Sequence, residues 1–182
     1  GKIIFNFSLK KAQEQHYYEA INNYQITKYN TSDADKAIAE KAVEILKADL
    51  AKGYDHIVMA RCKNKARANE VYKIYQQYKD YDPLIVYSGM PNAIGTLKAI
   101  IEKKHRIIVC VNMLGEGYDL PQLKIAAIHD ERQSLAVTLQ FIGRFTRTND
   151  IKLGKASFIT NIAYPPIKEE VNSLYQIDAD WN

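Results

Sequence analysis

The chain has 182 residues, 47% of them apolar and 25% charged, with a formal net charge of +4. Such a composition is that of one globular domain with a real core, and it excludes a low-complexity, collagen-like or strongly acidic chain. The mild basic bias permits a nucleic-acid partner without requiring one, because what matters is where the cations cluster.

Two cysteines, Cys62 and Cys110, interrupt or end apolar runs; there is no CxxC, and the four histidines are scattered. Neither a zinc site nor a disulfide framework is expected, no metal ligand set is assigned, and a reducing, cytoplasmic setting fits. The apolar runs are too short to span a bilayer and no signal peptide opens the chain, so no membrane partner is expected.

In chain order, KIIFNFSL (2–9) reads as a strand. Ser32 and Asp33 can cap a helix in which Ile38, Ala42, Ile45 and Leu46 share a face and which Gly53 stops. HIVMAR (56–61) is the next strand, followed by a helix over 65–79. Its Ala68, Val71, Tyr72, Tyr75 and Tyr78 recur at i, i+3 and i+4, so these tyrosines read as core-edge packing and not as a stacking platform. PLIVYSG (83–89) is a strand, Pro91 can open a helix with Leu97, Ile100 and Ile101, and RIIVCV (106–111) is a strand again. LKIAAIHD (123–130) and KASFITNIA (155–163) complete five or six strands separated by helices. Continuous apolar runs of this kind predict a mainly parallel sheet flanked by helices, a three-layer α/β domain.

In such sheets ligands bind beyond the carboxyl ends of the strands. Beyond HIVMA come Arg61, Lys63, Lys65 and Arg67, which on their own could simply face water. Beyond LIVY come Ser88 and Gly89, a small hydroxyl and a flexible backbone. RIIVCV leads into Asn112, Met113 and GEGYD, where Gly117 allows close backbone approach and Asp119 offers a carboxylate to hydroxyls such as those of a ribose. Alone, this is no more than a loop. EKKHR (102–106) precedes a strand and falls on the opposite rim as a solvated charge run.

LQFIGRFTR (139–147) carries the most information. Arg144 and Arg147 stand three apart beside Gly143, with Gln140 three residues before the glycine. On a helix the two guanidiniums share a side, suited to gripping phosphate or, equally, to bridging surface carboxylates. IAAIHDE imitates a strand ending in magnesium-holding acids. But no GxxxxGK[ST] loop occurs, so Asp130 and Glu131 read as a strand-end turn or cap.

Taken together and in order, HIVMARCKNKA, LIVYSGM, IIVCVNMLGEGYDLPQLKIAAIHD and LQFIGRFTR resemble the C-terminal RecA-like domain of superfamily 2 helicases of the DEAD/DEAH type. The resemblance covers 56–161, and the last stretch is similar to motif VI, Q-x-x-G-R-x-x-R. It implies a RecA-like, P-loop NTPase-like fold without the P-loop. It also implies an entry segment at 1–30 from an N-terminal RecA-like domain, the helicase domain at 31–164 and an appendage at 165–182.

By the same resemblance, ATP with Mg²⁺ is held mainly by the N-terminal domain in cis. Arg147 is the arginine finger, Arg144 a second γ-phosphate contact, and Gln140 couples nucleotide to nucleic acid. Gly117, Asp119 and Gly143 lie at the ATP ribose or the seam between domains. Arg61, Lys63, Ser88, Gly89, Asn112 and Met113 face the nucleic-acid backbone. Gln140, and Val111–Asn112 where RNA helicases of the DEAD-box type show Thr–Asp, bring the chain closer to restriction-type and excision-repair-type translocases and favour DNA over RNA. The 182 residues alone are expected to be inactive. The alternative is a non-catalytic α/β module that binds nucleic acid or phosphate.

Overall fold

The computed structural model describes residues 22–87, 96, 98–100, 102, 104–111, 120–130 and 154–163. They form β1 (Asn22–Ile26), α1 (Thr31–Ala51), β2 (Ile57–Cys62), α2 (Lys65–Tyr75), β3 (Leu84–Tyr87), β4 (Ile107–Val111), β5 (Leu123–Ile128) and β6 (Ser157–Asn161). A short 3₁₀ turn, Lys79–Tyr81, sits between α2 and β3. The strands make one sheet of order β1-β6-β5-β2-β4-β3, every pair parallel.

β2 and β5 are buried along their whole length. That requires cover on both faces, which is why IVMARC and LKIAAI read as runs without polar alternation. Two apolar layers result. On one face, Val58, Ala60, Val109, Ile125, Ala127 and Ile159 pack under Ile38, Ala42 and Leu46 of α1 and Ala68, Val71 and Tyr75 of α2. On the other, Ile57, Met59, Ile108, Ala126, Ile128 and Phe158 pack with Ile100, within the helical residues 98–100.

Three local expectations are corrected. The N-cap of α1 is Asn30, whose side chain accepts from the Asp33 N–H at 3.2 Å; Ser32 and Asp33 lie inside the first turn. α2 ends at Tyr75, short of 79, and is capped by Asn64, which accepts from the Arg67 N–H. The sheet also begins before residue 31. β1 lies in the stretch read as an entry segment, yet pairs with β6 from Asn22↔Ser157 to Ile26↔Asn161.

β1 lies at the edge of the described sheet with its side chains exposed or half-buried, so the polar sequence NNYQI suffices. Past its end the Asn161 side chain takes over the ladder, accepting from Lys28 N–H and donating to Lys28 C=O. The strand expected at 2–9 lies outside the described residues. Gly53, at φ +85, ends α1 by donating to Leu50 C=O in a conformation that side-chain-bearing residues rarely adopt.

Candidate nucleotide and nucleic-acid face

The parallel strands deliver their carboxyl ends to one rim. There β2 runs into Arg61 to Arg67 and β5 runs into His129 and Asp130. The four cations after β2 divide into two kinds. Lys63 and Lys65 are exposed, and the Lys65 ammonium stands 4.9 Å from the centre of the Tyr87 ring at the end of β3. Arg61 and Arg67 are tied down instead.

Arg61, expected to face nucleic acid, has an internal carboxylate partner. Its guanidinium donates to Asp130 Oδ2 at 2.9 Å, with the two side chains only 11% and 3% exposed. The pair lies on the Met59 and Ile128 face of the sheet, since side chains alternate along a strand. Asp130 is therefore an internal partner, more than the strand-end turn expected of it.

On the opposite face a second polar group is buried among the helices. His129 Nδ1 lies 2.9 Å from Asp35 Oδ1, and His129 Nε2 lies 3.1 Å from the Tyr75 hydroxyl. Asp35 Oδ2 accepts from Arg67 at 2.6 Å, and Arg67 also donates to Glu70. Facing a carboxylate, the Nδ1–H donates to Asp35, and in the neutral ring Nε2 is then the acceptor for the Tyr75 O–H.

Burial pushes the Tyr75 phenol well above its ordinary range, which keeps that donor protonated. For Arg67 burial works against the charge, but its bonds to Asp35 and Glu70 outweigh it and hold the group above the usual arginine range. Tyr75 is thus a core residue with an internal hydrogen bond, not a core-edge one.

Burial also raises both thiols. Cys110 is pushed up from 9.0 to about 12, Arg61 easing and Asp130 adding to the shift. Cys62 is raised by burial first and by the Asp130 charge next. Ionising either thiol disfavours the folded state, so their contribution is intact below pH 9.0 and is lost as pH rises toward 12. At pH 8 neither thiol should react with iodoacetamide until urea unfolds the domain; rapid labelling of the native state would contradict the buried placement.

At the opposite rim Arg106 is not merely solvated. Its guanidinium pairs with Asp55, and its N–H donates to Tyr81 C=O. Among the described residues, no group of three His, Cys, Asp or Glu side chains could hold a metal ion, and no helix is long and apolar enough to cross a membrane. Ser88, Gly89, Asn112, Met113, Gly117, Asp119, Gln140, Gly143, Arg144 and Arg147 lie outside the described residues.

His129, Asp130 and Asp35 were not among the expected site residues. Asp35 did leave a signal, standing three, four and seven residues before Ile38, Ala39 and Ala42, on the stripe α1 buries. A lone carboxylate there needs internal partners.

The model of the helicase conserved C-terminal domain matches residues 37–149. The chain belongs to this family. The match takes in the end of β2, the end of β5 and the Q-x-x-G-R-x-x-R stretch at 140–147.

Solved structures agree on the RecA-like fold. The domain is similar to Dbp5 of S. cerevisiae bound to RNA and ADP BeF3, with TM-score 0.66 and 15% identity over 88% of this chain and 40% of that one. It is similar to the C-terminal domain of the DEAD-box protein Dbp5, with TM-score 0.66 and 14% identity over 90% of this chain and 88% of that one. A third likeness is to DEAD-box helicase domain 2 of Mss116p bound to an RNA duplex, with TM-score 0.62 and 14% identity over 87% of this chain and 59% of that one. The helicase C-terminal domain thus spans about two fifths of the RNA-bound Dbp5 chain. No curated protein matches it.

Proposed function

We propose that this helicase C-terminal domain is the second motor domain of an ATP-dependent nucleic-acid translocase. In this reading it completes an ATP site held mainly by an N-terminal RecA-like domain in the same protein. The observation that carries the reading is the family match across 37–149, because it holds the strand-end cations and Gln140, Gly143, Arg144 and Arg147 in one unit.

Arg147 acts as the arginine finger, stabilising charge on the transferring phosphoryl group, and Arg144 makes a second contact there. Bound ATP with Mg²⁺ supplies the phosphoryl chemistry. Gly117, Asp119 and Gly143 line the seam beside the ribose, and Gln140 links that side to the nucleic acid. Lys63, Ser88, Gly89, Asn112 and Met113 meet the sugar–phosphate backbone, where contacts position the strand without reading its sequence. The two free, buried thiols are consistent with a cytoplasmic protein.

DNA is the proposed substrate on the strength of Gln140 and Val111–Asn112, whereas the printed ligand of the similar Dbp5 and Mss116p structures is RNA. Equilibrium binding of single-stranded DNA and RNA by the full-length protein, across a salt series, tests both parts. Affinity should fall steeply with salt, and Lys63→Ala should flatten the slope by about one. DNA should bind the more tightly. Tighter RNA binding would overturn the DNA assignment alone, and salt-independent binding would overturn the backbone-contact reading.

A further inference from the structure

Of the four cations that follow β2, two are engaged inside the domain. Arg61 is paired with Asp130, and Arg67 with Asp35 and Glu70. Lys63 and Lys65 are exposed, and among the described residues neither has a carboxylate partner. Lys65 meets a ring instead, its ammonium 4.9 Å from the centre of Tyr87.

Strand register explains how the two meet. Cys62 at the end of β2 and Tyr87 at the end of β3 both lie level with Val111 of β4, so the ring stands two strands away, about 10 Å. α2 packs over β2, β4 and β3, and Lys65 opens it. Ile85 belongs to the helical layer and Val86 to the other, so Tyr87 stands on the α2 side of the sheet.

The first turn is the wrong end of a helix for a cation, because the N-terminal dipole is positive, and α2 has no acidic residue there to offset it. Lys65 therefore does not stabilise its helix. A ring attracts an ammonium without neutralising it, as a carboxylate would. It also holds a long side chain in place, which removes part of the ordering cost that a loose lysine meets on gripping an anion. The result is a held cation with its charge intact, beside Lys63, on the rim where the strands end.

We propose that Lys65 is a phosphate contact alongside Lys63, and that Tyr87 is its positioning residue, pre-placing the ammonium for the sugar–phosphate backbone of a single strand. This rests on the nucleic-acid side of the motor-domain reading and adds two residues to it. Tyr87 acts through Lys65, with no contact of its own to the strand. Because the contact is to phosphate, it is indifferent to base sequence.

The test uses the full-length protein carrying Lys65→Ala, Tyr87→Leu, Tyr87→Phe, the Lys65→Ala/Tyr87→Leu pair, and Lys63→Ala as a reference. Binding of single-stranded DNA and RNA across a salt series is measured for each, with thermal unfolding to establish that each folds. Lys65→Ala should flatten the salt slope by about one, as Lys63→Ala does. Tyr87→Leu should weaken binding about two- to fivefold, the scale of an exposed cation–π contact, with the slope kept because the number of phosphates met is the same. Tyr87→Phe keeps the ring face and should bind like the unsubstituted protein. Once Lys65 is alanine, Tyr87→Leu should cost nothing more, which a purely structural role would not produce. If Tyr87→Leu does not fold, Tyr87→Met takes its place in the same comparison.

An unchanged slope in Lys65→Ala would overturn the phosphate contact. A Tyr87→Leu loss that persists without Lys65, a Tyr87→Phe loss of equal size, or no loss in either would overturn the positioning role. In all these outcomes salt-dependent binding by the unsubstituted protein leaves the motor-domain reading standing. Its absence would overturn that reading, and this inference with it.

Discussion

Arg147→Ala in the full-length protein should lower nucleic-acid-stimulated ATP turnover by about 10³-fold or more, the lower end of what arginine fingers contribute. The effect is this large because charge on the transferring phosphoryl oxygens grows toward the transition state, where a pre-placed guanidinium is worth most. Arg144, three residues earlier, should matter for the same reason and to a smaller degree. Arg147→Lys should recover little, since an ammonium lacks the planar fork that grips two oxygens together. Steady-state turnover at saturating ATP and nucleic acid is the measurement. A loss below about tenfold would remove Arg147 from the finger role, against the 10³-fold scale of such residues.

The second large effect concerns stability. Asp35→Ala should destabilise the domain by about 3–5 kcal/mol, the cost of breaking a buried charged pair from one side. In a domain of this size that is a fall in melting temperature on the order of 10 °C. Asp35 accepts from both His129 and Arg67 and is 3% exposed, so its removal strands a buried imidazole donor and weakens the hold on a guanidinium. Glu70 offers Arg67 a remaining partner, but it sits on the exposed side of α2 and cannot reach His129. Asp35→Asn, which keeps an acceptor oxygen, should lose less. Urea unfolding of the three proteins decides it: equal stability for Asp35→Ala and the unsubstituted domain would mean that water replaces the carboxylate.

Much of the architecture could be read from residue order. The runs LIVY and IIVCV are apolar end to end, IVMARC and LKIAAI are broken only by Arg61 and Lys124, and in the structure each is a strand of a parallel sheet. Central parallel strands announce themselves because both their faces are covered. β1 escaped notice for the converse reason: its side chains are exposed or half-buried, and NNYQI carries a single aliphatic residue, Ile26. The α1 cap was displaced by two or three positions because Asn30, Ser32 and Asp33 are all good capping residues within four positions.

The site divides along a similar line. Motif order identified the family, since Gln140, Gly143, Arg144 and Arg147 at fixed spacing form a pattern that one residue could not. What the order could not reveal was pairing across the sheet. Arg61 and Asp130 are 69 residues apart, and Asp35 and His129 are 94 apart. A cation at a strand end looks the same in sequence whether it meets solvent, as Lys63 does, or an internal carboxylate, as Arg61 does.

In the proposed function this domain lends guanidinium groups to a triphosphate gripped chiefly by another lobe. ATP turnover by these 182 residues alone, set beside turnover by the full-length protein, each with and without single-stranded DNA, tests it most directly. The expected result is turnover by the full-length protein, raised by DNA, and none above background by the isolated domain. Sustained hydrolysis by the isolated domain, abolished by Arg147→Ala, would contradict it, because the catalytic machinery would then reside in this lobe alone.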